Sequence, residues 1–177
     1  FGDAILARLF ESGRVREIAD LYTLEISDLT QFERMGETLA TKILRNLYAT
    51  KTVPLSQFVA GFNIEGVGKL IMDKVVSAGY DTLDKVRSVG PDDLAKVNGI
   101  GDVLAATIVS GLADLAGKMD AVLASERISI AAPVAGPLHG RSFCFTGSLT
   151  SMTRARAQER VRDAGGTVTG SVTNSLT

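Results

Sequence analysis

The sequence predicts a mainly α-helical fold followed by the beginning of a small α/β segment. Apolar residues recur at helical spacing through most of residues 3–125. Glycines recur at intervals of 32 to 34 residues, at Gly2, Gly36, Gly68 and Gly101. A fixed period of this size indicates a repeated pair of helices. After residue 140 the pattern changes to strand, helix and strand, which is typical of one edge of an α/β domain.

The predicted helices follow from apolar spacing and from residues that favour helix ends. Pro54 and Pro91 suit first turns, Asp81 suits the cap of a short helix, and Gly13 and Gly79 suit helix ends. The predicted helices span 3–12, 15–22, a short segment near Asp28, 37–50, 54–61, 69–78, two short segments after Asp81 and Pro91, 102–116, 118–125 and 153–164.

A longer repeat of 65 residues relates two halves of the helical part, 1–53 and 54–118. The shift superposes Leu21 on Val86, Asp28 on Asp93, Leu29 on Leu94, Phe32 on Val97, Gly36 on Gly101, Ala40 on Ala105, Ile43 on Ile108 and Leu47 on Leu112. We therefore predict two similar units related by an approximate twofold axis, one burying Leu29, Ile43 and Leu47 and the other Leu94, Ile108 and Leu112.

A five-residue turn of the form apolar, any residue, Gly, apolar, Gly occurs at 64–68 and again at 97–101. Weaker copies lie at 32–36, where Arg34 replaces the first glycine, and at Phe1-Gly2. Both glycines can take φ > 0 and leave the backbone bare. The second glycine opens a helix, whose first amides have no partner within the helix. A cluster of bare amides at a helix start favours an anion such as a nucleic-acid phosphate.

Charge, cysteine content and hydropathy limit the kinds of site and function that the chain can have. Residues 1–130 hold 14 basic and 18 acidic side chains, a net charge of −4, so any DNA contact there must depend on local geometry. The single cysteine, Cys144, excludes an internal disulfide and a multi-cysteine zinc site. No run is apolar enough to span a membrane, which favours a cytoplasmic protein. Because the sequence starts without Met, we expect it to be an excerpt of a longer protein.

The turn pattern resembles the helix-hairpin-helix DNA-binding family, whose members grip the phosphates of double-stranded DNA without reading bases. The fold class is then a tandem helix-hairpin-helix domain of two pseudo-twofold units, at residues 1–128. The resemblance implies DNA contacts at Gly2, Arg34, Gly36, Gly66, Gly68, Lys69, Gly99 and Gly101. Lys42, Lys74, Lys85 and Lys96 are interpreted as solvated helix residues, and Asp102 weakens the fourth motif.

Residues 129–140 have the composition of a linker, and residues 141–177 resemble the N-terminal part of a BRCT domain. The resemblance depends on Phe145-Thr146-Gly147, the helix 153–164 and the Gly165-Gly166 turn. In phosphate-binding members of that family, a Ser or Thr followed by Gly at this strand end holds phosphate. Thr146 and Gly147 are therefore candidate phosphate ligands; alternatively Gly147 only forms a loop that Thr146 caps. We expect the rest of this domain to follow Thr177.

Four hairpin motifs followed by a BRCT domain is the C-terminal arrangement of bacterial NAD-dependent DNA ligases, which seal nicks in replication and repair. The resemblance implies nicked double-stranded DNA and the other ligase domains as partners, and a monomer without membrane contact. It places NAD, Mg and Zn in the parent enzyme; no catalytic residue, metal ligand or cofactor site is expected in this segment. Two alternatives stay open: the DNA-binding segment of a repair nuclease or junction protein, and a protein-interaction scaffold.

Overall fold

The computed structural model describes residues 2–133, 136–138, 141–147 and 149–169. The first half of the helical part contains four helices: α1 (Asp3–Glu11), α2 (Ile18–Leu21), α3 (Ile26–Thr30) and α4 (Glu37–Leu47). After the short strand β1 (Thr52–Val53), the second half contains α5 (Leu55–Ala60), α6 (Lys69–Ser77), α7 (Leu83–Ser88), α8 (Pro91–Leu94), α9 (Asp102–Asp114) and α10 (Ala116–Ala124).

The 65-residue repeat predicts the order of the helices and the positions of the core. Helices α1 to α4 recur as α6 to α9, and the position of α10 after α9 corresponds to that of α5 after α4. Leu29, Leu94, Ile108 and Leu112 are buried as predicted. Their counterparts Ile43 and Leu47 are only partly buried, packed against the core of the first half. The twofold relation between the halves stays a prediction.

Each half has its own hydrophobic core. Six buried residues form the first core: Leu9, Val15, Leu24, Leu29, Ala40 and Leu44. The second core contains 17 buried residues, among them Met72, Val75, Ile108 and Met119, which are inaccessible to solvent. Ala19 of α2 and Tyr22, which directly follows α2, pack against this second core, and Lys118 of α10 lies 3.4 Å from Glu17 at the start of α2. Helix α2 therefore joins the two halves.

The short helices are stabilised at their N-termini by side chains. Asp20 accepts hydrogen bonds from the Arg16 and Glu17 amides, at 2.8 and 2.9 Å, before α2. Asp28 accepts one from the Glu25 amide, at 2.8 Å, before α3. The cap predicted at Asp81 is wrong by one residue: Thr82 caps α7 and accepts the Lys85 amide at 3.2 Å. These contacts satisfy amides that have no acceptor within the helix.

A second short strand, β2 (Ser129–Ile130), pairs with β1 in parallel, with Thr52 opposite Ser129 and Val53 opposite Ile130. The end of the helical part therefore returns to the junction between the two halves. These two residues open the predicted linker 129–140, whose bounds stay a prediction. Residues 134, 135, 139 and 140 of it lie outside the described residues. Among the residues that are described, no helix is long and apolar enough to cross a membrane.

The segment after residue 140 has the predicted strand, helix, strand order: β3 (Ser142–Cys144), α11 (Arg154–Asp163) and β4 (Thr167–Thr169). The two strands are parallel, with Phe143 opposite Val168. Ala157 and Val161, which are four residues apart, form the buried face of α11. The fold class predicted from the sequence, mainly α with a short α/β segment at its end, is therefore confirmed.

Candidate nucleic-acid interface

Three hairpin turns share one backbone hydrogen bond. The amide of the fourth residue donates to the carbonyl of the first: Met35 to Phe32 at 3.0 Å, Val67 to Ile64 at 2.9 Å and Ile100 to Val97 at 2.9 Å. The third residue of each turn has positive φ: 63° at Arg34, 71° at Gly66 and 78° at Gly99. A turn closed in this way reserves that position for glycine. The weaker copy at 32–36 therefore has the same backbone conformation as the two complete turns, although the residue in its left-handed position is Arg34 and not glycine.

The second glycine of each motif has a different backbone conformation from the residue at the first glycine position. Gly2, Gly36, Gly68 and Gly101 are the N-caps of α1, α4, α6 and α9, with φ between −80° and −95° and ψ between 155° and 176°. This is extended backbone that any residue can adopt. The expectation that both glycines use positive φ is therefore wrong for the second one. The N-cap of a helix requires extended backbone, so the φ freedom of glycine is not needed there.

Space does not require glycine at these N-caps either. A Cβ atom added to Gly2, Gly36, Gly68 or Gly101 would have no heavy atom within 4 Å. Serine, aspartate and asparagine cap helices better than glycine, by a few tenths of a kcal/mol. The protein therefore leaves four helix starts without a side-chain cap, although neither conformation nor packing demands it. The structure places all four on the surface. Phe1, which would belong to the first motif, lies outside the described residues.

The apolar residues of the two complete turns face the protein interior, whereas the glycines face the surface. Ile64, Val67 and Ile100 are buried in the second core, and Val97 packs against it. The third turn also lies against the helix of the fourth motif: a Cβ atom on Gly66 would be 3.6 Å from Leu104 Cδ1. The two complete hairpins are thus held side by side, with their glycines exposed and their apolar residues buried.

The two predicted basic contacts differ in their surroundings. The Lys69 amine lies 2.7 Å from Asp73 Oδ2, one helical turn further along α6, and both side chains are exposed. Arg34 is more exposed still and lies 3.9 Å from Glu33 Oε1. The i,i+4 spacing of Lys69 and Asp73 already indicates such a pair in the sequence. Lys69 would have to leave or share this carboxylate in order to contact a phosphate.

Of the four lysines interpreted as solvated, two have a local partner. Lys85 pairs with Asp81 and Lys96 with Asp93, at 2.7 and 2.6 Å. Lys74 instead extends over the fourth turn, where its amine contacts the position that a Cβ atom on Gly99 would occupy. Sequence reasoning missed this placement, because Lys74 precedes Gly99 by 25 residues and belongs to a different hairpin.

In the described part of the chain, no three side chains of His, Cys, Asp or Glu come close enough together to hold a metal ion. At the start of the fourth motif, Asp102 follows the bare N-cap directly, and Glu65 lines the same surface groove. Two acidic side chains therefore lie beside this helix start, and the positive groups opposite them are the first backbone amides of α9 and the Lys74 amine at the turn.

The predicted phosphate ligands of the last segment follow β3. Thr146 and Gly147 are exposed, and Gly147 has φ of 74°. Arg154, the first residue of α11, donates a hydrogen bond of 2.8 Å to the Gly147 carbonyl. The left-handed conformation accounts for glycine at this position. The role of Thr146 and Gly147 in phosphate binding stays a prediction, and Ser148 lies outside the described residues.

Comparison with known proteins agrees with this geometry. Residues 62–114 match the family model of the SAM-like helix-hairpin-helix tandem, and this range contains both complete turns. Residues 133–177 match the model of the BRCA1 C Terminus (BRCT) domain. The two matches occur in the order that the sequence predicts.

Similar sequences extend over nearly the whole chain. A DNA ligase of Treponema denticola is 39% identical over 99% of this chain, and one of Treponema pallidum is 42% identical over 99%. A DNA ligase of Sorangium cellulosum is 36% identical, again over 99%. The chain spans 28%, 21% and 26% of the lengths of these relatives. The resemblance to a C-terminal region of bacterial DNA ligases is thereby confirmed.

Proposed function

We propose that this chain, which is similar over 99% of its length to a region of bacterial DNA ligases, holds double-stranded DNA by its phosphates without reading base sequence. In the intact enzyme it would keep the duplex in place while other domains seal a nick. The observation that carries the proposal is the set of four bare helix starts, at Gly2, Gly36, Gly68 and Gly101. Folding does not require glycine there, whereas a phosphate that approaches the backbone does.

The mechanism of grip follows from the helix termini. The first amides of α6 and α9 point out of the helix, and the helix dipole adds partial positive charge at the same place. A phosphate oxygen can accept hydrogen bonds from these amides if no Cβ atom stands in front of them. Contacts of this kind fix the position of the duplex and carry no base information. They also work in a segment whose net charge is −4.

The finer parts of the proposal concern the parent protein. We propose that it uses NAD to adenylate itself and then the 5′-phosphate of the nick, in DNA replication and repair. The residues that hold NAD, Mg and Zn would belong to its other domains. We further propose a cytoplasmic monomer whose partners are nicked DNA and those domains. The similarity to ligases argues against the repair nuclease and scaffold alternatives.

The test replaces one bare N-cap by aspartate. Aspartate is among the best N-cap residues, so Gly68→Asp should leave the stability unchanged or raise it by a few tenths of a kcal/mol. The same carboxylate would occupy the position of the phosphate. Loss of one charge-assisted contact of about 1.5–3 kcal/mol lowers the affinity about tenfold to a hundredfold.

The matched control is Gly90→Asp. Gly90 is also an extended N-cap, with φ of −81° and ψ of 161°, and has open space at its Cβ position, but it belongs to no hairpin motif. Titration should use the 177-residue chain with two nicked duplexes of unrelated sequence, after circular dichroism has shown that each variant is folded. Equal affinities of the two variants would contradict the backbone grip, and so would a strong preference for one sequence.

A further inference from the structure

The fourth hairpin turn has a lysine from the third hairpin lying over it. The Cβ position of Gly99 touches the Lys74 amine and lies 3.5 Å from its Cε atom and 3.9 Å from its Cδ atom. The aliphatic stem of Lys74 therefore covers the turn and places the charge beside it. Lys74 is exposed, and among the described residues no carboxylate lies within ion-pair distance of its amine.

The first half contains the same arrangement. Arg8 of α1 donates a hydrogen bond of 3.4 Å to the carbonyl of Glu33, which lies in the second turn. Arg8 follows Gly2 by six residues, and Lys74 follows Gly68 by six. In each half, a cation from the helix of the first hairpin therefore reaches the turn of the second hairpin. Two occurrences at the same distance from the N-cap of the first hairpin's helix make a chance surface placement a poor explanation.

The second hairpin of each half lacks a basic residue at its helix start. Its N-cap is followed directly by an acid, Glu37 after Gly36 and Asp102 after Gly101. An acid there stabilises the helix through its dipole but repels a phosphate. In the third hairpin the corresponding residue is Lys69, which forms an ion pair with Asp73 of the same helix. A phosphate at the fourth turn would therefore need its counter-charge from another element.

We propose that Lys74 and Arg8 are phosphate-binding residues, each supplying positive charge to the second hairpin of its half from the neighbouring helix; in the first half Arg8 would act beside Arg34 of the turn itself. The inference rests on the proposed DNA binding and assigns two residues to it that the turn motif does not include. The backbone amides at Gly101 and Gly36 would orient the phosphate, and the side chain from the neighbouring helix would neutralise it. Each pair of hairpins would then act as one unit, because the grip at its second turn depends on a residue of its first.

The test is the salt dependence of DNA affinity. Lys74→Met keeps the stem over Gly99 and removes the charge. If Lys74 neutralises one phosphate, the slope of log affinity against log salt becomes shallower by about 0.9. We expect the affinity at low salt to fall about threefold to tenfold, less than for a buried charge because the site is exposed. Lys74→Arg should restore the wild-type slope.

Lys85→Met is the matched control, since it removes the same charge from an exposed lysine that already pairs with Asp81. Its slope should equal that of the wild-type chain. The double variant Arg8→Met/Lys74→Met should make the slope of log affinity against log salt shallower by about twice the change that Lys74→Met causes alone. The two changes should add because the two sites lie in different halves. Circular dichroism of all variants of the 177-residue chain would show that the fold is kept.

The outcomes separate this inference from the proposed function. If wild type binds duplex DNA and Gly68→Asp weakens binding, but Lys74→Met and Lys85→Met have equal slopes, the side-chain assignment is overturned and the backbone grip stands. If the wild-type chain does not bind duplex DNA at all, the proposed function fails first. A slope change for Lys74→Met that Lys74→Arg does not restore would also overturn the assignment, since charge would then not be its cause.

Discussion

The two halves of the helical part share one chain path but differ at equivalent positions. The second half surrounds a core of 17 buried residues, whereas the first has six. The turn of the second half has Gly99 where the first half has Arg34, and both residues have positive φ. The repeat therefore preserves backbone geometry and the buried positions and lets the surface and the size of the core vary. Stability and turn strain should follow these differences, and three pairs of substitutions test them.

The largest expected difference concerns the two cores. Ile108 of α9 is inaccessible to solvent, whereas its counterpart Ile43 of α4 is partly buried. Ile108→Ala removes the three side-chain carbons beyond Cβ from a closed core and should lower the free energy of unfolding by about 2–5 kcal/mol. Ile43→Ala should cost about 1–2 kcal/mol, because part of its side chain is already in water. Urea unfolding followed by circular dichroism measures both, and equal losses would contradict the difference between the cores.

The next difference concerns turn strain. A side chain in the left-handed region costs about 1–2 kcal/mol, so Gly99→Ala should destabilise the second half by that amount. The three heavy atoms nearest to the new methyl group all belong to the flexible side chain of Lys74, which can move aside. The reciprocal change, Arg34→Gly, should gain up to about 1 kcal/mol, since the greater freedom of glycine in the unfolded chain offsets part of the relief.

Thermal unfolding of Gly99→Ala and Arg34→Gly shows directly whether each substitution stabilises or destabilises the protein. Gly101→Ala is the control for the first change, because Gly101 has extended backbone and open space at its Cβ position. It should cost less than Gly99→Ala, because its only penalty is that alanine is a poorer N-cap than glycine. If Arg34→Gly were destabilising, the Arg34 side chain would have a stabilising role that exceeds the strain of its backbone.

Much of this arrangement can be predicted from the sequence because it depends on periodicity. The 65-residue repeat identifies buried positions such as Leu94 and Leu112, and the turn pattern identifies a left-handed residue at Gly66 and Gly99. The conformation of the second glycine could not be predicted from its identity, because the entry into a helix decides φ there. A structure is needed to separate a glycine that the backbone requires from one that only a ligand requires.

Contacts between hairpins are the other part that the sequence does not show. Lys74 has the spacing of a solvated residue on α6, and only the packing of α6 beside the fourth turn brings its amine to Gly99. The placement has a weak signal in the sequence: a basic residue lies six positions after Gly2 and after Gly68. That signal becomes informative once the structure shows that both side chains reach the following turn.

The smallest expected difference concerns Asp28 and its counterpart Asp93. Asp28 accepts a hydrogen bond of 2.7 Å from Arg14 Nε and one of 2.8 Å from the Glu25 amide. The bond from Arg14, and then that from Glu25, hold the pKa of Asp28 below its ordinary value. Asp93 pairs only with Lys96, and both side chains are largely exposed. Asp28→Asn should therefore cost about 1 kcal/mol at pH 7, and Asp93→Asn no more than about 0.5 kcal/mol.

The pH dependence of this difference has a definite sign. Because the folded pKa of Asp28 is depressed, its stabilising effect is fully present above the ordinary aspartate pKa of about 4. It is lost as the pH falls through the lower, folded value, where the carboxylate takes up a proton and the bond to Arg14 weakens. The gap in unfolding free energy between wild type and Asp28→Asn should thus be constant from pH 7 to about 5 and narrow below about 4. Urea unfolding at several pH values measures it, and a gap that widened on acidification would show that the charge of Asp28 does not stabilise the first half.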